Sequence, residues 1–193
     1  MITLPLRTIS KKQFYLAVGL HKPHLPWQAS PEMFAKFPLD NISIASVQTK
    51  PASVPDIAFN DADSPSPQQN LPEEEQRLAR RAYYASTAGM DEQVGRLLQA
   101  MKDKGLENST VVILHGDHGW QLGERAEWRK FNNFEITTRV PLIIKPPAWF
   151  MVSDFLGASK GERGRTRERC GYTNLHTLTL IRVSFDHTHT HEE

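Results

Sequence analysis

Apolar positions change their period several times along this 193-residue chain, and each change predicts an element. Residues 13–18, Gln-Phe-Tyr-Leu-Ala-Val, form a short apolar run closed by Gly19 and predict a first strand. Ser30-Pro31-Glu32 predicts a short helix through Phe37, with Ser30 as N-cap and Pro31 at its first position. From Pro72 to Lys104, the apolar positions Leu78, Ala82, Ala85, Ala88, Val94, Leu97, Leu98 and Met101 recur every three or four residues, while most charges fall elsewhere. That spacing describes an amphipathic helix laid on a sheet. Its acids, Glu73 to Glu75, lie near the start, Lys102 and Lys104 lie near the end, and Gly105 follows as a C′ residue. Gly89 is the place where this helix would bend or divide.

Thr110-Val-Val-Ile-Leu114 carries no alternating polar residue, so it predicts a strand buried on both faces, as in a parallel sheet covered by helices. Arg139 to Lys145 predicts another strand, stopped by Pro146-Pro147. Strands alternating with helices give an α/β fold with a mostly parallel central sheet. Two regions break the pattern. Residues 38–71 are rich in Pro, Asp, Asn and Ser and predict a long irregular connection, uncommon unless it lines a site or packs on a neighbour. Beyond about Ala148 the character changes. The basic run 157–171 predicts a disordered tail, and residues 1–147 and 148–193 divide into a structured region and an unrelated extension. His187-Thr-His-Thr-His191 could hold a metal weakly, but it is also what a CA dinucleotide repeat encodes, which suggests read-through of non-coding sequence.

Composition narrows the partners. Lys plus Arg is 23 and Asp plus Glu is 22, a formal charge of +1, so no field large enough to recruit nucleic acid is present. No stretch approaches the roughly 20 apolar residues of a membrane span. Apolar residues at the N-terminus are interrupted by Pro5, Arg7, Lys11 and Lys12, which is unlike a secretory signal. Cys170 is the single cysteine, so no internal disulfide can form.

Candidate chemistry collects at the ends of the predicted strands. Gly116-Asp117-His118-Gly119 follows the apolar run at 110–114, at the sheet edge where α/β proteins bind ligands. The flanking glycines would let backbone approach a bound ion or oxyanion. His21-Lys-Pro-His24 follows the first strand on a loop stiffened by Pro23 and Pro26, and it reads equally as part of a site or as a surface turn. Asn41-Ile-Ser and Asn108-Ser-Thr fit the glycosylation sequon, a triplet that also arises by chance.

Four stretches, AVGLHKPHLPW (17–27), RRAYYASTAGMDEQVGRLLQAM (80–101), ENSTVVILHGDHGWQLGE (107–124) and EWRKFNNFEITTRVPLI (127–143), resemble the sulfatase family in combination and order. The resemblance covers about two thirds of the chain. It implies part of an alkaline-phosphatase-like α/β sandwich, and hydrolysis of sulfate esters, with 2-sulfated iduronate in heparan and dermatan sulfate as the substrate class. A sulfated glycosaminoglycan is then the expected partner, and a lysosomal or secretory location the expected setting. Sulfatases attack sulfur with a formylglycine made from the Cys of a Cys-x-Pro-Ser-Arg motif, beside a carboxylate-bound calcium ion. By this resemblance Asp117 and His118 match metal-site residues, Lys130 a lysine that contacts the sulfate, and His24 a histidine that hydrogen-bonds the sulfate or protonates the leaving alkoxide.

Departures from the family pattern are equally plain. Neither Cys-x-Pro-Ser-Arg nor the family's paired N-terminal aspartates occurs in this sequence, and Cys170 lies in Glu-Arg-Cys-Gly, without the Pro-Ser-Arg. Gly-Glu-Arg125-Ala126 stands where the family has Gly-Glu-His-Gly. The expectation is a partial calcium site without its nucleophile: either a piece of a sulfatase, or a catalytically inactive sulfatase-like chain that binds a cation or a sulfated glycan. A phosphatase of the same superfamily would need a second metal set and a Ser or Thr nucleophile, which no motif here provides.

Overall fold

A computed structural model describes residues 13–59 and 70–147 in full and the backbone of 177–182. Its order is β1 (Phe14–Gly19), α1 (Pro31–Ala35), α2 (Glu73–Asp103), β2 (Thr110–His115), β3 (Gln121–Leu122), β4 (Trp128–Arg129), α3 (Glu135–Thr138), β5 (Leu142–Lys145) and β6 (Thr177–Arg182). Four strands form one sheet in the order β1-β6-β2-β5, and β3 pairs with β4 in a small hairpin.

Strand content agrees with the sequence reading; strand direction does not. Every pairing in the four-stranded sheet is antiparallel, in place of the mostly parallel sheet expected. β1 and β2 do run the same way, because each is antiparallel to β6, which lies between them. β6 is also a correction to the disordered tail: Thr-Leu-Thr-Leu-Ile-Arg alternates β-formers at period two, a local signal that the composition of 157–171 hid. The basic run and the His187–His191 repeat lie outside the described residues.

Among the described residues only one face of the sheet is well covered. Met90, Val94 and Met101 from the second half of α2 pack with Leu106 and Val112, and Phe14, Leu16 and Leu114 close around them. The opposite face carries Tyr15, 67% exposed, and Ile113, which pairs with the 55% exposed Ile144. β2 is therefore buried on one face and half-buried on the other, so an unbroken apolar run was read as two-sided burial where only one side exists.

α2 is a single 31-residue helix, undivided at Gly89, and Gly105 ends it at φ 65 with its N–H donating to the Lys102 carbonyl. The helix serves two partners. Its second half faces the sheet, and its first half buries Gln76, Arg80 and Tyr83 against the hairpin loops, leaving Leu78 exposed. Arg80, expected on the solvent side, is 6% exposed and reaches the Leu122 carbonyl and Glu124. Burial pushes the neighbouring Tyr83 hydroxyl well above the usual phenol range, helped by Tyr84 and Glu124. α1 starts at Pro31 as expected, but Ser30 makes no side-chain cap and hydrogen-bonds the Glu32 carboxyl instead. The described part of 38–71 does pack on its neighbours: Arg77 donates to the Ile42 carbonyl, and the Arg125 N–H donates to that of Val47.

Candidate functional site

β1 and β2 end at the same edge of the sheet with β6 between them, and the loops leaving them supply two halves of one cluster. After Gly19 the chain enters the histidine loop, whose shape depends on Lys22. Its ammonium folds back onto the carbonyls of His24, at 3.3 Å, and Pro26, so this lysine shapes the loop. Trp27 Nε1 donates across the same turn to the Pro23 carbonyl at 2.8 Å. His24 Nδ1 lies 2.8 Å from the Leu25 carbonyl, which can only accept. The proton therefore sits on Nδ1, leaving Nε2 as the acceptor nitrogen of the neutral ring. His21 stacks on His24 with ring centres 5.0 Å apart.

After His115 the second half begins. Asp117 is exposed and its Oδ1 accepts the His118 backbone N–H at 2.9 Å. His118 Nδ1 donates to the Gly119 carbonyl at 2.7 Å, and its Nε2 lies 2.8 Å from Lys130 Nζ. With Nδ1 protonated, Nε2 can accept one ammonium proton, so the pair forms a charge-assisted hydrogen bond. Trp120 stands between the halves: its ring centre is 6.4 Å from that of His24, 6.3 Å from His118 and 6.0 Å from Trp27. His24, His118 and Lys130 are thus brought together around one buried aromatic wall, with Asp117 at the rim.

Gly119 has a use other than the one its motif suggested. A Cβ there would lie 1.9 Å from the Ile136 carbonyl oxygen, and the Gly119 N–H donates to the Thr137 carbonyl at 2.7 Å. The glycine admits the backbone of α3 itself, at Ile136 and Thr137, where an ion or oxyanion had been expected. Asn132 completes this support, and no sequence pattern marked it. Its Nδ2 donates to Gln121 Oε1 and, at 3.3 Å, to Glu127 Oε2, while its Oδ1 accepts from Phe134 N–H and Thr137 Oγ1. Gln121 and Glu127 are both fully buried, so the hairpin that carries Lys130 is fixed from inside.

Arg125 and Ala126 adopt φ 59 and φ 63, in the left-handed region that favours glycine. The guanidinium of Arg125 lies over the Phe134 ring, 5.0 Å from its centre. Trp120 belongs to the loop that the sequence marks, but its place between the two halves rests on contacts with His24 and Trp27, far away in sequence, which no local pattern records.

Calcium takes six to eight oxygen ligands. Among the described residues no three His, Cys, Asp or Glu side chains converge on a point that could hold a metal. His118 is also committed through both ring nitrogens. Asp117 and His118 therefore do not by themselves build the calcium site expected of them. What the two loops bring together is a lysine ammonium beside two imidazoles on a partly buried wall. Asn41 and Asn108 are both exposed, each in a 3₁₀ turn away from this cluster.

Comparison with known proteins decides the family. The family model described as Sulfatase matches residues 3–150. The chain belongs to the sulfatase family. It is 41% identical to human iduronate 2-sulfatase over 150 residues, which is 72% of this chain and 27% of that protein. The mouse iduronate 2-sulfatase is 39% identical over the same shares. Choline-sulfatase of Rhizobium meliloti is 41% identical over 40% of this chain and 15% of its own length. The chain spans about a quarter of the length of the iduronate 2-sulfatases it matches, and residues 3–150, matched by the family model, include both loops of the cluster but not β6.

Proposed function

We propose that this sulfatase chain presents the sulfate-engaging half of a site for 2-sulfated iduronate in heparan or dermatan sulfate. The observation that carries the reading is the His118–Lys130 contact of 2.8 Å, held across Trp120 from His24, in a chain 41% identical to an iduronate 2-sulfatase. In this reading Lys130 moves from His118 Nε2 to a sulfate oxygen, where its charge offsets that of the ester. His24 keeps its Nδ1 proton on the Leu25 carbonyl, and on taking up a second proton at Nε2 it donates to the sulfate or to the bridging oxygen. Asp117 would supply one oxygen to a divalent cation. A cation bound there would neutralise sulfate charge.

The complete enzyme's hydrolysis and a lysosomal or secretory location belong to the same proposal. For residues 1–193 alone the proposal is binding without turnover, because the sequence holds no Cys-x-Pro-Ser-Arg nucleophile. Sulfated-glycan recognition is favoured over simple cation binding by the Lys130 ammonium, a positive charge that suits an anion. Expressing residues 1–193 and assaying a fluorogenic iduronate 2-sulfate tests the reading. No release of fluorophore above background is expected. Turnover abolished by Asp117→Ala would overturn it.

A further inference from the structure

β1 carries the histidine loop and β2 carries the Asp117–His118 loop, yet the two strands never touch as a ladder. β6 lies between them, with Gly19 and His115 both registered on Thr177 at the site end, and Phe14 and Thr110 both registered on Arg182 at the other. β2 has a second ladder partner, β5, whereas β6 is the only ladder partner of β1 among the described residues. Removing β6 would leave a gap one strand wide between two strands running in the same direction, and every strand pair of β1 would be lost. β6 also lies beyond residues 3–150, the region shared with the sulfatase family.

We propose that Thr177–Arg182 is a slot-filling strand: a segment outside the family region that occupies a strand-acceptor channel between β1 and β2 and so sets the distance between the two halves of the site. The inference concerns how the cluster is held and stands whether or not the cluster engages sulfate. Strand addition of this kind draws its affinity from main-chain hydrogen bonds, which explains how a short segment of ordinary β-formers can fill the channel. The channel demands an extended six-residue stretch that donates and accepts on both edges, so a proline at its centre cannot satisfy it. Leu180 is that centre, registered on Leu16 of β1 and Val112 of β2.

Leu180→Pro, with Leu180→Val as the conservative control, tests the proposal in the full chain. Amide hydrogen exchange is read for β1, β2 and α2, and the His24–Trp120 ring contact is read as a nuclear Overhauser effect. In Leu180→Pro the β1 amides are expected to exchange at least about tenfold faster than in the parent, beyond any change in α2, and the ring contact to disappear. Leu180→Val is expected to keep both. A synthetic peptide of residues 175–184, added to Leu180→Pro, is expected to restore β1 protection and the ring contact. Should Leu180→Pro unfold throughout, α2 will exchange as well, and restoration by the peptide then carries the same support. Unchanged β1 exchange in Leu180→Pro, or a peptide that restores neither signal, overturns the proposal.

Discussion

At Gly119 a single methyl group decides whether the site loop can sit where it does. The Cβ of any other residue would fall 1.9 Å from the Ile136 carbonyl, and the backbone beside it must move to make room. Overpacking of this kind costs typically about 1–3 kcal/mol, and here the obstacle is backbone, which gives least. Gly119→Ala is therefore expected to lower stability by about 3 kcal/mol in urea titration, and to weaken the His118–Lys130 contact as the loop lifts from α3. An unchanged urea midpoint would show that the backbone of α3 yields freely. His118 and Lys130 illustrate the same dependence on support. Their 2.8 Å contact rests on a hairpin held by Asn132, Gln121 and Glu127 rather than on the motif residues themselves.

Among the elements, β5 is the least secured. Leu142, Ile143 and Ile144 are 65%, 55% and 55% exposed at the edge of the sheet, and Lys145 bonds Glu107 at 2.9 Å. That lysine holds the Glu107 carboxyl below its usual range, first through the hydrogen bond and then through its charge. A lowered carboxylate pKa contributes stability that is present above the unfolded value, near 4.3, and is lost as pH falls through the folded value. Protection of the β5 amides, taken relative to their intrinsic exchange at each pH, should accordingly fall below about pH 4.5, and Glu107→Gln should remove that dependence. Because both partners are largely exposed, the effect belongs to local opening of β5, and the global transition should move little.

The same scale shows what local pattern can reveal. α2, its Gly105 end and the placement of Asp117 and His118 after a strand were legible, because helix periodicity and a motif at a strand end are properties of neighbouring residues. Arg80 was misread, since its ion pair with Glu124 spans 44 positions and no local pattern records it. Strand direction was not legible either. Two parallel strands with an antiparallel strand between them, as in β1-β6-β2, present the same apolar runs as a wholly parallel sheet. The last predicted strand begins three residues late, at Leu142, because Phe134 to Arg139 close the turn of α3 against Gly119.

For the whole molecule the dominant feature is a sheet covered by α2 on one face and exposing Tyr15, Leu142 and Ile144 on the other. Contiguous exposed apolar strands at an edge favour association. Ile144→Lys, at a position already more than half exposed, is expected to leave stability within about 0.5 kcal/mol and to raise the soluble monomer fraction by sedimentation velocity. A drop in stability beyond that would mean that Ile144 packs more tightly than its exposure indicates.

The central claim is that the cluster around Trp120 engages a sulfate ester through Lys130. Calorimetric titration of the full chain with a 2-O-sulfated iduronate disaccharide tests it most directly. The account predicts saturable binding that weakens at least about tenfold in Lys130→Ala, as loss of a charge-assisted contact should, and no measurable binding of the unsulfated disaccharide. Equal affinity of parent and Lys130→Ala, or of sulfated and unsulfated sugar, would contradict it.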